Sequence, residues 1–176
     1  MPEKAPLIQI YVGSLTDKQP VIDSGMLNIL QDVGVSWSMS VFSADRHPEE
    51  LQRHCREAGL AGTKVFIGIA AMAAVLPGAV SATINGQIPV IGVALPSSEF
   101  PDGMDAVLSM IRKPTGVPVL CAGVGKHGLC NAAIAACSIL ATSDKLTLNR
   151  LQTWRMRWRA EKPTVPELVS SETYKA

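Results

Sequence analysis

Five short segments hold most of the residues able to bind or transform a small ligand: GSLTD (13–17), SADRHP (43–48), IAAMAAVLPG (69–78), ALPSSEFPDG (94–103) and GVGKHG (123–128). In the first, Gly13 permits a tight turn and close backbone approach. Ser14 and Thr16 add hydroxyls, and Asp17 adds a carboxylate. That set suits a ribose or phosphate at the mouth of a helix, and it equally suits plain helix capping. In the second, Ser43 offers a hydroxyl and Arg46 a planar guanidinium that grips phosphate with two N–H groups. The alternative there is a surface Arg46 beside a capping Asp45. Neither segment is a P-loop or a GxGxxG turn, so a nucleoside triphosphate or a dinucleotide is not indicated. The three histidines are His47, two residues past Asp45, His54 and His127. His54 has mixed neighbours on a helix and is expected at the surface.

These segments need a scaffold that brings them together, and the apolar pattern supplies one. Strands are expected at Leu7 to Val12, Val35 to Val41, Lys64 to Ile69, Pro89 to Ala94 and Val117 to Ala122. The second shows strict alternation, with Trp37, Met39 and Val41 against Ser36, Ser38 and Ser40. Helical spacing spans Pro20 to Val33, with Gly34 as its stop. Further helices start at Pro48 and cover Ala70 to Ala82, Met104 to Ile111 and Leu129 to Ala141. Asp144 is placed to cap a last one reaching about Arg159. Strands alternating with helices imply an α/β fold with a parallel sheet covered on both faces. Ligands then bind beyond the carboxyl ends of the strands, where all five segments fall. One domain over 1–162 and a tail over 163–176 are expected.

Composition narrows the classes. The 176 residues carry 16 Lys+Arg and 15 Asp+Glu, a net charge of +1, which lacks the basic excess of a nucleic-acid binder. A 47% hydrophobic content excludes a disordered chain. The low charged share of 18% favours surface hidden between subunits. No stretch approaches the roughly 20 apolar residues of a membrane span. Cys55, Cys121, Cys130 and Cys137 form no CxxC pair and read as reduced thiols, which points to the cytoplasm. In the last helix, Leu151, Trp154 and Trp158 share one face, with Arg150, Arg155, Arg157 and Arg159 around the rest. That face is expected to dock on a partner subunit rather than on nucleic acid or membrane.

Taken in order, GSLTD, SADRHPEEL, AAVLPG, GVPV and GVGKHGLCNAAIAACSILA resemble the PurE family, whose motifs are GSxSD, SAHRTP, GGAAHLPG and a terminal G-K/N-x-x-x-x-N-A stretch. The resemblance runs over about 7–160 and implies a three-layer, doubly wound, flavodoxin-like sheet. It implies a homo-octamer whose last helix reaches a neighbouring subunit. The ligand implied is an aminoimidazole ribonucleotide. The implied activity is N5-carboxyaminoimidazole ribonucleotide mutase or phosphoribosylaminoimidazole carboxylase chemistry in purine synthesis, with neither metal nor organic cofactor. Carried over by motif position, Ser14 and Asp17 match ribose and phosphate contacts, and Ser43 and Arg46 match phosphate-side contacts.

The departures from the motifs bear on the chemistry. The histidine of SAHR falls on Asp45 and that of GGAAHLPG on Val75, while the paired glycines fall on Ala71 and Met72. Carboxyl migration needs a group that gives and takes a proton near neutral pH, for which imidazole is matched. A carboxylate does this only when burial lifts its pKa by several units, and Arg46 beside Asp45 works against that. Asp45 and His47 are the candidate proton carriers, with His127 of the GKHG segment the other histidine open to recruitment. The expected outcome is altered or weak catalysis, or an oligomeric paralogue that binds another phosphorylated, nucleoside-like ligand.

Overall fold

Every residue of Ile8–Val12 (β1) is buried, as a mostly apolar run requires of a strand covered on both sides. The computed structural model describes residues 5–161, and in it β1 lies inside a parallel five-stranded sheet. The other strands are Trp37–Val41 (β2), Val65–Ala70 (β3), Val90–Ala94 (β4) and Leu120–Val124 (β5), in the spatial order β2-β1-β3-β4-β5. The helices are Leu15–Ser24 (α1), Met26–Val33 (α2), Pro48–Ala61 (α3), Val75–Thr83 (α4), Met104–Ile111 (α5), Gly125–Ala141 (α6) and Lys145–Ala160 (α7). This is the doubly wound, flavodoxin-like order, with its switch point between β1 and β3.

Side-chain alternation divides the interior into two cores. Ile8, Ile10, Val12, Val65, Ile67 and Ile69 meet α1, α2, α6 and α7 on one face. Tyr11, Phe66 and Ala70 meet α3, α4 and α5 on the other. Gln9 is a buried exception within the apolar run. Its Nε2 donates to Ser40 Oγ at 3.3 Å and to the Ile10 carbonyl at 3.2 Å, and its Oε1 accepts from Ser38. The serines that give β2 its alternation thus satisfy the buried amide.

Several boundaries differ from the sequence expectation, α6 for one starting at Gly125 rather than 129, and four of them have a local reason. The helix expected over 20–33 is two helices. Gly25, at φ 88°, ends α1 and opens α2. Ser24 Oγ donates to the Val21 carbonyl at 2.7 Å and accepts from Met26 N at 3.0 Å, so the break leaves these groups satisfied. The first of the two begins at Leu15, ahead of Pro20, because Ser14 caps it. β5 starts at Leu120 rather than 117, since Pro118 has no N–H for a ladder. α4 starts at Val75 rather than 70, because Ala70 completes β3 and residues 71–74 form a tight loop.

The last helix also differs from expectation. Its Asp144 cap is present, accepting from Thr147 N at 2.9 Å and Leu146 N at 3.3 Å. Leu151 and Trp154, however, are buried in the first core of their own chain, against α2 and α6. What α7 leaves exposed is Leu146 and Met156, with Trp158 half-exposed at the end of the buried face, stacked on Trp154 at 6.2 Å. The expected tail over 163–176 lies outside the described residues. Among the described residues, no helix is long and apolar enough to cross a membrane.

One close approach holds α6 on the sheet. A Cβ at Gly128 would stand 2.6 Å from the Gly123 carbonyl carbon and 2.7 Å from its oxygen, both backbone atoms. Gly128→Ala is therefore expected to destabilise the fold by roughly 1–3 kcal/mol, as overpacking against an unyielding wall does. Urea titration of the two proteins checks this; an unchanged midpoint would show that the turn after β5 can give way.

Candidate functional site

All five chemistry-bearing segments emerge at the carboxyl end of the sheet. The sheet ladder continues into the loops and anchors them there. Gly13 N donates to the Ile69 carbonyl at 3.0 Å, Phe42 N to the Val12 carbonyl at 2.9 Å and Leu95 N to the Ala70 carbonyl at 3.0 Å. Between the loops lies a cleft of about 850 Å³. Its wall includes Ser14, Asp17, Ser43 and Arg46, so the structure brings together the four residues expected to bind ligand. Asp45 also lines the cleft and is exposed at its rim. His47 and His127 are not part of the lining: His47 stands at the N-cap of α3 and His127 in the first turn of α6.

In the first loop, capping and cleft-lining turn out to be compatible. Ser14 Oγ accepts from Asp17 N at 3.2 Å and lies 2.7 Å from Thr16 Oγ1. This turns the Asp17 carboxylate back over Gly13, where an added Cβ would sit 3.2 Å from Oδ2. Burial pushes the Asp17 pKa up, and hydrogen bonding with Ser14 pulls the other way. In the second loop, Ser43 Oγ accepts from Arg46 N at 3.2 Å and the Ser43 carbonyl accepts from His47 N at 2.9 Å. The turn sends the Arg46 side chain out to solvent. Asp45, weighed as a cap, makes no capping bond; Ser43 holds this turn instead.

An aromatic cluster supports that second loop from beneath. Tyr11 is fully buried and meets Phe42 edge-on at 5.7 Å and Phe66 in a stack at 5.9 Å. Its hydroxyl lies 2.8 Å from His54 Nδ1 on α3. His54 is thus a half-buried partner of Tyr11, where a free surface residue was expected; the sequence could not show that β1 runs under α3. Since Phe42 precedes Ser43, the cluster joins β1, β2 and α3 just below the cleft.

The opposite wall is apolar. It comprises Ala71, Met72, Ala73, Val75, Leu76 and Pro96. Met72 at φ 54° and Ala74 at φ 40° are both in the left-handed region, which disfavours side chains other than glycine by roughly 1–2 kcal/mol per residue. The strained loop holds Met72 and Val75 partly exposed, at 53% and 40%, as well as lining the cleft. Ser97 and Ser98 complete the rim from the loop after β4. Sequence reasoning singled out that loop without choosing these residues; its position after a strand was the available signal.

Comparison with known proteins agrees with this geometry. Residues 7–161 match the family model described as AIR carboxylase. The chain is 33% identical over 165 residues to the N5-carboxyaminoimidazole ribonucleotide mutase of Brucella melitensis, spanning 94% of this chain and 97% of that one. It is 38% identical over 150 residues to the mutase of the same name from Pyrococcus abyssi, spanning 85% and 82% of the two chains. It also resembles the phosphoribosylaminoimidazole carboxylase of Schizosaccharomyces pombe, at 35% identity over 87% of this chain and 26% of that longer protein. Among solved structures, Treponema denticola PurE superposes with a TM-score of 0.73 at 26% identity, covering 89% of this chain and 93% of the other. A family-model match over residues 7–161, with a relative 33% identical over 94% of the chain, places this protein in the AIR carboxylase family.

Proposed function

We propose that the cleft binds an aminoimidazole ribonucleotide and that the protein is a slow or inactive relative of the carboxyaminoimidazole ribonucleotide mutases. One observation carries this reading: the cleft joins a hydroxyl-, carboxylate- and guanidinium-bearing corner to a wall without any proton carrier. In the corner, Arg46 and Ser43 take the phosphate, and Ser14 and Asp17 take the phosphate edge and the ribose hydroxyls. In the mutase reaction the nitrogen–carboxyl bond breaks to release carbon dioxide, and the nitrogen takes up a proton. The adjacent ring carbon then attacks the carbon dioxide and gives up its own proton. A single group near neutral pKa can lend the first and collect the second. Here the position is held by Asp45, an exposed carboxylate at the cleft rim where the family motif has an imidazole. The other available carrier, His47, serves only if the loop carries it inward.

A second reading, a non-catalytic paralogue that binds another phosphorylated nucleoside-like ligand, draws on the strained apolar loop at 71–74. For both readings the assembly proposed is a cytoplasmic homo-octamer, needing no metal or organic cofactor, with the outer face of α7 against a neighbour. The half-exposed edge strands β2 and β5 and the exposed apolar side chains of α7 support it.

Three outcomes test the proposal. Arg46→Ala should weaken binding of ribose 5-phosphate or the ribonucleotide by ~1.5–3 kcal/mol, the range for a hydrogen bond to a charged group, measured by calorimetry; unchanged affinity would move the phosphate elsewhere. Wild-type turnover should fall ~10²–10⁴-fold below that of an ordinary mutase, the share usual for general acid–base catalysis. Asp45→His should raise it, with Met72→Gly as well if Met72 obstructs the ring. Turnover equal to an ordinary mutase would defeat the reading, and its loss in Asp45→Asn or His47→Gln would then identify the carrier. In light scattering the protein should run as a homo-octamer; a stable monomer in dilute solution would refute the assembly.

A further inference from the structure

The cleft is lopsided in charge. Among the described residues that line it, Arg46 is the only cation, while Asp17 and Asp45 are both carboxylates. A bound phosphate carries about −1.5 to −2 at neutral pH, so Arg46 is fully engaged by it. A second negative group, carried on the ring end of the ligand, finds no cation left. It would lie against Met72, Val75, Leu76 and Pro96, side chains with no donor to replace the water it loses. The backbone of this wall is left-handed at Met72 and Ala74.

Resting on the ribonucleotide reading given above, we propose that Met72 and Val75 make this site selective for charge: it accepts 5-phosphoribosyl ligands whose heterocycle is uncharged and rejects those whose ring bears a carboxylate. Such a site holds a decarboxylated aminoimidazole ribonucleotide and disfavours its carboxylated forms, on the nitrogen or on the carbon. The wall thus acts ahead of any missing proton carrier, because a carboxylated substrate is poorly bound before chemistry begins. The Ser97 and Ser98 hydroxyls at the rim and the first amides of α4 are neutral donors that offset this only in part. Ala74 gives that helix no side-chain cap, which leaves Val75 and Leu76 N–H groups open, while Pro77 has no N–H to add.

The test is calorimetric titration of the intact protein with three compounds: ribose 5-phosphate, aminoimidazole ribonucleotide and its 4-carboxylated derivative. Aminoimidazole ribonucleotide is expected to bind at least ~10-fold more tightly than the carboxylated compound, about 1.4 kcal/mol. Val75→Lys, a half-exposed position at the start of α4, adds an ammonium to the wall and should bring that ratio close to one or invert it. Circular dichroism verifies that the variant is folded, and Met72→Lys provides the same test from the loop if it is not. Carboxylated ligand binding as well as or better than the uncharged one in the wild type would overturn the selectivity, and would point to the open α4 amides as its donors. An unchanged ratio in the folded lysine variants would also overturn it. Failure of all three compounds to bind would instead remove the phosphate corner, and the selectivity with it; binding of ribose 5-phosphate in every case separates the two failures.

Discussion

A parallel strand buried on both faces has no solvent side on which to satisfy its backbone, so each N–H and C=O must be matched by a neighbouring strand. In this chain β1 bears that constraint, with β2 on one side and β3 on the other, in register from Ile8 to Val12. Everything near the cleft hangs from those pairings. The same ladder continues for one bond past the ends of β1, β2 and β4, and those bonds fix where Gly13, Phe42 and Leu95 leave the sheet. The ligand-facing loops are therefore short and anchored at their roots, and their polar groups are positioned by the sheet rather than by one another.

The cleft joins two halves of different character. The half made by the β1 and β2 loops is polar, and its side chains do two jobs at once. Ser14 caps α1 and lines the cleft, and Ser43 holds the Arg46 turn and lines it too. The half made by the loop after β3 is apolar and strained, with two non-glycine residues in left-handed conformation within three positions. Strain of this kind persists only where the surrounding structure over-determines it. Here the surroundings are close: a Cβ on Gly68 of β3 would meet Pro77 at 3.0 Å, so α4 lies directly on the strand and its first turn cannot move further inward. The apolar wall is thus a consequence of how tightly α4 is seated.

Beneath the polar half, buried aromatic packing serves the same end. Tyr11 ties β1 to α3 through His54 and stacks on Phe66, while Phe42 leads directly into Ser43. Burial raises the Tyr11 pKa, chiefly through desolvation, so its hydroxyl stays protonated at any ordinary pH. It raises the pKa of the adjacent Cys55 thiol to about 11, again mainly by desolvation. Cys137 in the other core is likewise pushed up to about 11. These two thiols are inert packing groups; the apolar sequence around Cys137 pointed to this, whereas Cys55 lies between His54 and Arg56 and owes its burial to the fold.

Local pattern determined much of this protein by itself. The apolar runs and the alternation in β2 mark all five strands within three residues; in β1, β3 and β4, burial on both faces leaves no room for polar side chains except a paired one such as Gln9. The ordered motifs also carried the family, since each lies in a loop that the strand–helix alternation sends to one end of the sheet. What only the tertiary structure decided depends on contacts between distant segments. The break at Gly25 rests on a serine that satisfies both sides of it, and the burial of Leu151 and Trp154 rests on α2 and α6. The partnership of His54 with Tyr11 spans 43 residues of chain. The left-handed backbone at Met72 and Ala74 is least legible of all, because neither residue favours it. It follows from the seating of α4 against β3, and it makes one side of the cleft a wall without charge.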